Sequence, residues 1–481
     1  MKSTLQFVFA FLCQATFVMP CAAVSLDGGG RGQALIFPYF TVQPAPGGNF
    51  NTYISITNGR GDTKVLKVRF REGRSARPVA DFNVYLRADD MWTATLVPDP
   101  EGTRLVTRDL SCTNPPIPAA GLLFSDAAYA TPPDGYGTDI GRLREGHVEV
   151  IEMATLGQAV LDNLYTRPPN CGPLQGSAPA FGPLNAPTGS VSGSATLINV
   201  ASGLEVSYSA EALANLTAAP MYANPGQSGA DFDASEVVPV TSFVSDDIAY
   251  RLTWPRGADA VTAALIGYFE NEFVLDKGTA SRTDWVVGFP TRRLHVSAGI
   301  YQRPFGGNVS IATQPLSCEG LVNVGFDREA RQWGAVTGFP EPPLSTNQAC
   351  WSTNVFSIRS DDDRRRGDPS DVLGSHNVLG NGISMTLPDA MLAPAAYENG
   401  WITLSFDSNL GMVSQPSSLA LDMKTGALTQ ASFWLHGLPA TGFMARTLSN
   451  GTLSCGGQTC LAVYSAGFSH RRRRLVEKWP Y

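Results

Sequence analysis

Short runs in which apolar and polar residues alternate with a period of two dominate the region from about residue 34 to residue 97. The runs NTYISITN (51–58), LKVRFRE (66–72), DFNVYLR (81–87) and WTATL (92–96) each place apolar side chains on one face. Turn-forming segments separate them, which is typical of antiparallel strands with one buried face. Their spacing of about ten residues predicts a β-sandwich with an immunoglobulin-like arrangement.

The rest of the chain is predicted to be β-rich, with few short helices. Residues 167–190 form a loop rich in Pro and Gly, and the apolar spacing in ADAVTAALIGYFENEF predicts one helix over 258–273. A chain of 481 residues is too long for one hydrophobic core. We expect a sandwich domain over 24–125, a β-rich middle domain over 126–300 and a β-rich C-terminal domain with a basic tail over 301–481.

Composition supports this fold class and narrows the partners. Charged residues make up 16% of the chain, and it contains 48 Gly and 34 Pro, a balance typical of loop-rich β proteins. The net charge of −7 argues against a general nucleic-acid binder, which would be basic.

The N-terminus has the pattern of a signal peptide over residues 1–23. A basic start at Lys2 precedes an apolar run over 5–18, and the small residues that follow predict cleavage after Ala23. Lipidation of Cys21 is the alternative, which Pro20 disfavours. Since no second run of about 20 apolar residues follows, we expect no membrane span. The protein is therefore expected in the periplasm, on the cell surface or outside the cell.

Cysteine usage agrees with export. With Cys13 and Cys21 in the leader, six cysteines remain: Cys112, Cys171, Cys318, Cys350, Cys455 and Cys460. An even number in an oxidising compartment predicts disulfides. Sequence alone leaves many pairings open, and we favour sequential pairing. Cys455 and Cys460 flank GGQT and are expected to close a hairpin.

Four segments resemble a family of uncharacterised secreted proteins from Gram-negative bacteria. They are LKVRFREGRSARPVADFNVYLRADDMWTATL, REGHVEVIEMATL, TDWVVGFPTRRLHV and GLPATGFMARTLSNGTL, and the resemblance extends over most of the mature chain. It implies an exported bacterial protein. It implies no activity, and it transfers no catalytic or ligand-binding residue.

The sequence contains no motif for hydrolytic or nucleotide chemistry. There is no Gly-x-Ser-x-Gly elbow, the five histidines are scattered, and no glycine-rich nucleotide loop occurs. Glycoside hydrolysis needs no local motif. For it, Glu145, Glu149 and Glu152 are candidates on one strand, with Glu149 and Glu152 on opposite faces; a solvent-facing strand is the simpler interpretation.

Two acidic loops are candidates for calcium, the only cofactor that the sequence indicates. GADFDASE places Asp231, Asp233 and Glu236 in one loop, and exported β domains use such oxygen-rich loops to hold hard cations. A second loop offers four more carboxylates, Asp361, Asp363, Asp368 and Asp371. Neither loop has EF-hand spacing.

Two cationic segments are candidates for binding anions. Lys67, Arg69 and Arg71 alternate with apolar residues, so we expect them on one cationic sheet face, and a solvated face is the simplest interpretation. The alternatives are that Glu or Asp from a neighbouring domain covers this face, or that it binds an anionic partner. At the other end of the chain lie four adjacent arginines, Arg471, Arg472, Arg473 and Arg474. A solvated, frayed terminus is the simpler interpretation of this tail.

Export, β architecture and missing catalytic motifs together favour a non-enzymatic structural, adhesive or binding protein of the cell envelope or extracellular space. Its expected partners are a cell-surface polysaccharide or other copies of the same chain. The alternative is a carbohydrate-binding or carbohydrate-active protein. Five tryptophans are candidates for stacking on sugars: Trp92, Trp285, Trp351, Trp401 and Trp434.

Overall fold

A computed structural model describes residues 22–45, 47–131, 133–157, 164–297, 300–306, 318–334, 348–360, 369–376, 390–393 and 398–480. In this part of the chain the protein is mainly β and built from several mostly antiparallel sheets, which confirms the predicted fold class. The predicted leader lies almost entirely outside the described residues, so its cleavage stays a prediction. No helix in the described ranges is long and apolar enough to cross a membrane.

The N-terminal part is a sandwich of an eight-stranded and a six-stranded sheet. The eight-stranded sheet contains, in spatial order, Ser25–Leu26, Glu211–Ala214, Ala34–Thr41, Glu145–Leu156, Lys64–Glu72, Pro78–Leu86 and Cys112–Asn114, with Leu184–Asn185 paired to Glu145–Leu156. The six-stranded sheet contains Leu122–Leu123, Gly102–Val106, Met91–Asp99, Asn51–Asn58, Val191–Asn199 and Leu204–Ser209. Alternating apolar residues, among them Phe70, Trp92 and Val150, fill the space between them. An immunoglobulin-like arrangement stays a prediction.

The predicted domain boundary at residue 125 does not match the sheets. Glu145–Leu156 lies between Ala34–Thr41 and Lys64–Glu72, and Val191–Asn199 pairs with Asn51–Asn58. The sandwich therefore includes strands as far as Ala214. Local periodicity could not show this, because these neighbouring strands are far apart in sequence.

Three further sheets follow the sandwich. The four-stranded sheet contains Val240–Ser245, Ile248–Thr253, Leu419–Asp422 and Leu428–Gln430. The seven-stranded sheet contains Gln332–Gly334, Glu319–Asp327, Asn399–Phe406, Ile266–Val274 and Leu438–Pro439, with Gln348–Ala349 and Arg471–Arg473 at its sides. The five-stranded sheet contains Ala390–Ala393, Thr353–Ser360, Arg282–Gly288, Thr441–Cys455 and Gln458–Ser469.

Small sheets and short helices complete the described structure. The small sheets are Pro44–Ala45 with Gly48–Asn49, Val296–Ser297 with Ile300–Tyr301, and Gly411–Val413 with Phe433–His436 and Val476–Lys478. The α-helices are Ala127–Ala130 and Gly257–Leu265, and the 3₁₀ turns are Ile140–Arg144, Gly172–Leu174 and Arg292–Leu294.

The helix predicted over 258–273 is correct only in its first half. It ends at Leu265, and Ile266–Val274 is a strand paired with Asn399–Phe406. In this strand Phe269 and Phe273 are buried, whereas the acidic residues between them face outward. The spacing of apolar residues changes from helical to strand-like within one continuous run, so the pattern did not show where the helix ends.

Cores lie on both faces of the eight-stranded sheet. Its inner face packs in the sandwich, and residues of its outer face, such as Tyr85 and Met153, pack with Phe232, Val261 and Leu265 from the middle of the chain. A third core fills the space between the seven-stranded and five-stranded sheets.

Two disulfides confirm the sequential pairing for four of the cysteines. Cys112 bonds to Cys171, and Cys318 bonds to Cys350. Cys455 and Cys460 lie on the two strands of a hairpin that turns at residues 456–457, as predicted. Their side chains are outside the described part of the structure, so this third bridge stays a prediction.

Candidate binding face

The predicted solvated cationic face is buried, contrary to the sequence analysis. Lys67, Arg69 and Arg71 have exposed fractions between 1% and 4%. They lie on the outer face of the eight-stranded sheet beneath residues 221–232, here called the covering segment. Lys67 Nζ donates to the Asn224 carbonyl at 2.8 Å, and Arg69 donates to three further carbonyls of the covering segment, at Gln227, Gly229 and Ala230.

Carboxylates from distant parts of the chain neutralise these cations. Arg71 Nε donates to Glu149 Oε2 at 2.6 Å, and its Nη2 donates to Asp231 Oδ2 at 3.1 Å. Arg293 contacts the same two carboxylates. Asp81 bonds to Lys67 and Arg69. Because all three predicted anion-binding cations are paired beneath the covering segment, they do not form an open anion site.

The pKa values in this buried network are set by burial and by opposite charges close by. Burial alone would raise the pKa of Glu149, but Arg293 and Arg71 hold it well below its ordinary value. Asp231 has a lowered pKa for the same reasons. Burial lowers the pKa of Lys67 to about 8, even though Asp81 favours its charged form. Both carboxylates are therefore charged at neutral pH, and they serve the fold.

The structure does not bring the three residues of the first calcium candidate together. Asp231 is paired with arginines, whereas Asp233 and Glu236 are exposed. No group of three metal-ligating side chains is found among the described residues. Of the second loop, Asp361, Asp363 and Asp368 lie outside the described residues, and Asp371 pairs with Arg359 at 2.9 Å.

The arginine-rich tail is folded and not frayed. Arg471–Arg473 pairs with Ile266–Val274 at the side of the seven-stranded sheet. Arg472 points inward and donates to the Ala440 carbonyl and to Glu211 Oε2, and Arg474 Nη2 donates to the Ala264 carbonyl. Only Arg471 and Arg473 are exposed. Two of the four predicted anion-binding arginines are therefore held by the fold.

The five candidate tryptophans divide sharply by exposure. Trp401 is 42% exposed, and its ring stacks on Phe326 from the neighbouring strand with 4.6 Å between ring centroids and 19° between planes. The other four are at most 6% exposed: Trp92, Trp285, Trp351 and Trp434. Only Trp401 of the five thus presents a ring to solvent.

Strand register places charged side chains beside the Trp401 ring. Glu272 lies directly across from Trp401, and Glu270 lies across from Thr403 two positions further along. Arg473 Nη1 pairs with Glu270 at 2.9 Å, and Arg446 approaches Glu272 at 3.7 Å. We call this surface the Trp401 face; it consists of Glu270, Glu272, Phe326, Trp401, Thr403, Arg446, Phe468 and Arg473.

The Trp401 face continues onto the five-stranded sheet. The Arg446 guanidinium lies 4.8 Å from the centroid of the Phe468 ring, which is 43% exposed. Aromatic rings, carboxylates, guanidinium groups and a hydroxyl thus share one open surface. Rings can stack on the apolar face of a sugar while the polar groups bond to its hydroxyls. The two carboxylates stand side by side on this open sheet, whereas glycosidases place theirs on both sides of the scissile bond.

Sequence reasoning found Trp401 but missed the residues around it. The helix predicted over 258–273 includes Glu270 and Glu272 and would place their side chains on different sides of the helix. The alternation in IGYFENEFV was the signal that could have identified them. No family model, curated protein or solved structure matches this chain. Function is therefore inferred from the chemistry of the Trp401 face.

Proposed function

We propose that the protein is an exported, non-catalytic binding protein that adheres to polysaccharide through the Trp401 face. This joins the two functions that the sequence favours, an adhesive envelope protein and a carbohydrate binder. The observation that carries the proposal is the exposed Trp401 ring, stacked on the partly buried Phe326, beside Glu272 and Glu270. Exposed apolar side chains that adjoin one another mark interaction surfaces more often than isolated ones do.

Export is part of the proposal. It is supported by the signal-peptide pattern over residues 1–23 and by the Cys112–Cys171 and Cys318–Cys350 bridges, which persist in oxidising compartments. A ligand on the cell surface or outside the cell would then be accessible to the mature protein.

A glycan array tests the proposed function. The purified wild-type protein should bind at least one class of polysaccharide, and Trp401→Ala should weaken that binding at least about tenfold, since a stacking aromatic carries much of the energy of such a contact. Tyr165→Ala is the matched control, because Tyr165 is a 50% exposed aromatic beside Arg87, outside the Trp401 face.

Two results would count against this function. Binding to no polysaccharide, together with assembly into filaments, would favour self-association of the chain. Equal weakening by Trp401→Ala and Tyr165→Ala would show that the Trp401 face is not the binding surface.

A further inference from the structure

A further buried cation, Lys64, lies at the start of the Lys64–Glu72 strand and faces the side opposite to Lys67. The side chains of Lys64 and Glu152 are both 0% exposed, and Lys64 Nζ lies 2.9 Å from Glu152 Oε1. They come from adjacent antiparallel strands of the eight-stranded sheet. An amine and a carboxyl group held in contact in a dry site have lost the freedom that normally makes their condensation slow.

A third group stands where a proton acceptor is needed. Asp62 Oδ1 also lies 2.9 Å from Lys64 Nζ. Thr188 Oγ1 contacts both Lys64 Nζ and Asp62 Oδ2, so hydroxyl and carboxylate form a continuous path for protons. Asp62 and Thr188 are partly exposed, which connects this buried pair to solvent.

Backbone amides stabilise the carboxyl side of the pair. The Thr188 amide donates to Glu152 Oε1 at 3.0 Å, and the Gly189 amide donates to Oε2 at 2.8 Å. Each carboxyl oxygen thus has one N–H donor, and the donor on the oxygen that is retained would also stabilise the negative charge that forms there in a tetrahedral intermediate. Burial raises the pKa of Glu152 even though Lys64 opposes the rise, so the neutral acid is more accessible here than in water.

We propose that Lys64 and Glu152 condense into an intramolecular amide crosslink between the two strands. Proton transfer within the ion pair gives a neutral amine and a neutral carboxylic acid. The Nζ lone pair attacks Cδ of Glu152, and an N–C bond forms. The amine proton passes by way of Asp62 to the leaving oxygen, the C–O bond breaks, and one water molecule departs. Charge is conserved, and no oxidant or other reactant is needed.

The carboxylate in the neighbouring pair, Lys67 and Asp81, has different hydrogen-bond partners from that of Glu152. Lys67 Nζ lies 2.6 Å from Asp81 Oδ1, but the other carboxylate oxygen accepts a hydrogen bond from the Arg69 guanidinium. That oxygen is therefore held by a guanidinium, whereas both oxygens of Glu152 are held by backbone amides. Proximity alone therefore does not distinguish Lys67–Asp81 from Lys64–Glu152, whereas the arrangement of neighbours favours a crosslink at Lys64–Glu152.

Peptide mapping by mass spectrometry tests the crosslink on the full-length protein. After reduction of disulfides and proteolysis, we expect a branched peptide that contains Lys64 and Glu152 and has the summed mass of its parts minus one water. Lys67 and Asp81 should appear in unlinked peptides. Asp62→Ala should lower the linked fraction at least about tenfold, because it removes the proton acceptor.

Three other outcomes would contradict the proposal or part of its mechanism. Unlinked Lys64 and Glu152 peptides from wild-type protein kept folded for days would overturn the proposal, whatever the variants do. A linked peptide at Lys67–Asp81 instead would overturn the role given to the amides and Asp62. Full linkage in Asp62→Ala would remove Asp62 from the mechanism. Because the decisive measurement uses wild-type protein, it does not depend on the folding of any variant.

Discussion

Two sheet faces with the same kind of sequence lie in opposite environments. Along Lys64–Glu72, cations on the outer face alternate with apolar residues on the inner face. Along Ile266–Val274, carboxylates on one face alternate with residues such as Phe269 and Phe273 on the other. The first face is buried beneath the covering segment, whereas the second forms the exposed Trp401 face. Alternation thus shows that a strand has one polar and one apolar face, but it does not show that the polar face is exposed to solvent. What decides is whether the rest of the chain supplies a segment that covers the face, since Glu270 and Glu272 also pair with arginines yet lie on an open surface.

The largest expected effect comes from breaking the buried network. Arg71→Gln leaves Glu149 and Asp231 with one cation fewer in a site that water does not reach, and this should cost about 3–5 kcal/mol of unfolding free energy. Arg473→Gln is the matched control on the Trp401 face. It removes an exposed ion pair with Glu270 and should cost at most about 1 kcal/mol.

Urea unfolding of both variants measures this difference. Similar, small losses for the two arginines would mean that the outer face of Lys64–Glu72 is accessible to water, as the sequence alone suggested.

A disulfide near the covered face should have the next largest effect. Cys112–Cys171 links the edge strand of the eight-stranded sheet to the loop rich in Pro and Gly. Replacing both cysteines with Ala should lower the unfolding free energy by about 2–4 kcal/mol, since the unfolded chain gains freedom. Thermal unfolding of the double variant, compared with the wild type under oxidising conditions, measures the loss. An unchanged midpoint would contradict the expected contribution.

The pH dependence of stability should differ between the two faces. The folded-state pKa of Glu149 is well below its ordinary value of 4.5, because Arg293 and Arg71 outweigh burial. A lowered carboxyl pKa stabilises the fold above the unfolded pKa, and this contribution is lost as pH falls through the folded pKa. The stability gap between wild type and Glu149→Gln should therefore narrow below about pH 4.5.

Glu272→Gln is the control for this pH experiment. Its carboxylate is exposed on the Trp401 face, so the gap between this variant and the wild type should be small at every pH. A gap for Glu149→Gln that stays constant from neutral pH to pH 3 would contradict the role of Glu149 as a charged partner of the arginines.

The sequence predicted local features well and long-range ones poorly. Strands such as 51–58 follow from local alternation, and the expected sequential pairing is confirmed for two disulfides. The burial of Lys67, Arg69 and Arg71 does not, because their partners include Asn224 and Asp231, which lie more than 150 residues away. The position of Glu145–Leu156 between Ala34–Thr41 and Lys64–Glu72 was not predicted for the same reason. Periodicity describes one strand, whereas coverage of a sheet depends on the whole chain.

The smallest expected effect on stability is at the Trp401 face. Trp401→Ala removes a half-exposed ring and its stack on Phe326, which should cost about 1 kcal/mol. Chemical denaturation checks this value. A loss above about 3 kcal/mol would indicate that Trp401 has a structural role, and any effect of the variant on binding would then reflect misfolding.

Hydroxyl-radical footprinting of the two faces, with and without a polysaccharide identified on the array, tests the central claim most directly. In the free protein, Trp401 on the open face should oxidise rapidly, while Met153, buried on the outer face of the eight-stranded sheet, should oxidise slowly. Saturating polysaccharide should slow oxidation of Trp401 and leave Met153 unchanged. Oxidation of Trp401 at the same rate with and without bound polysaccharide would contradict the account.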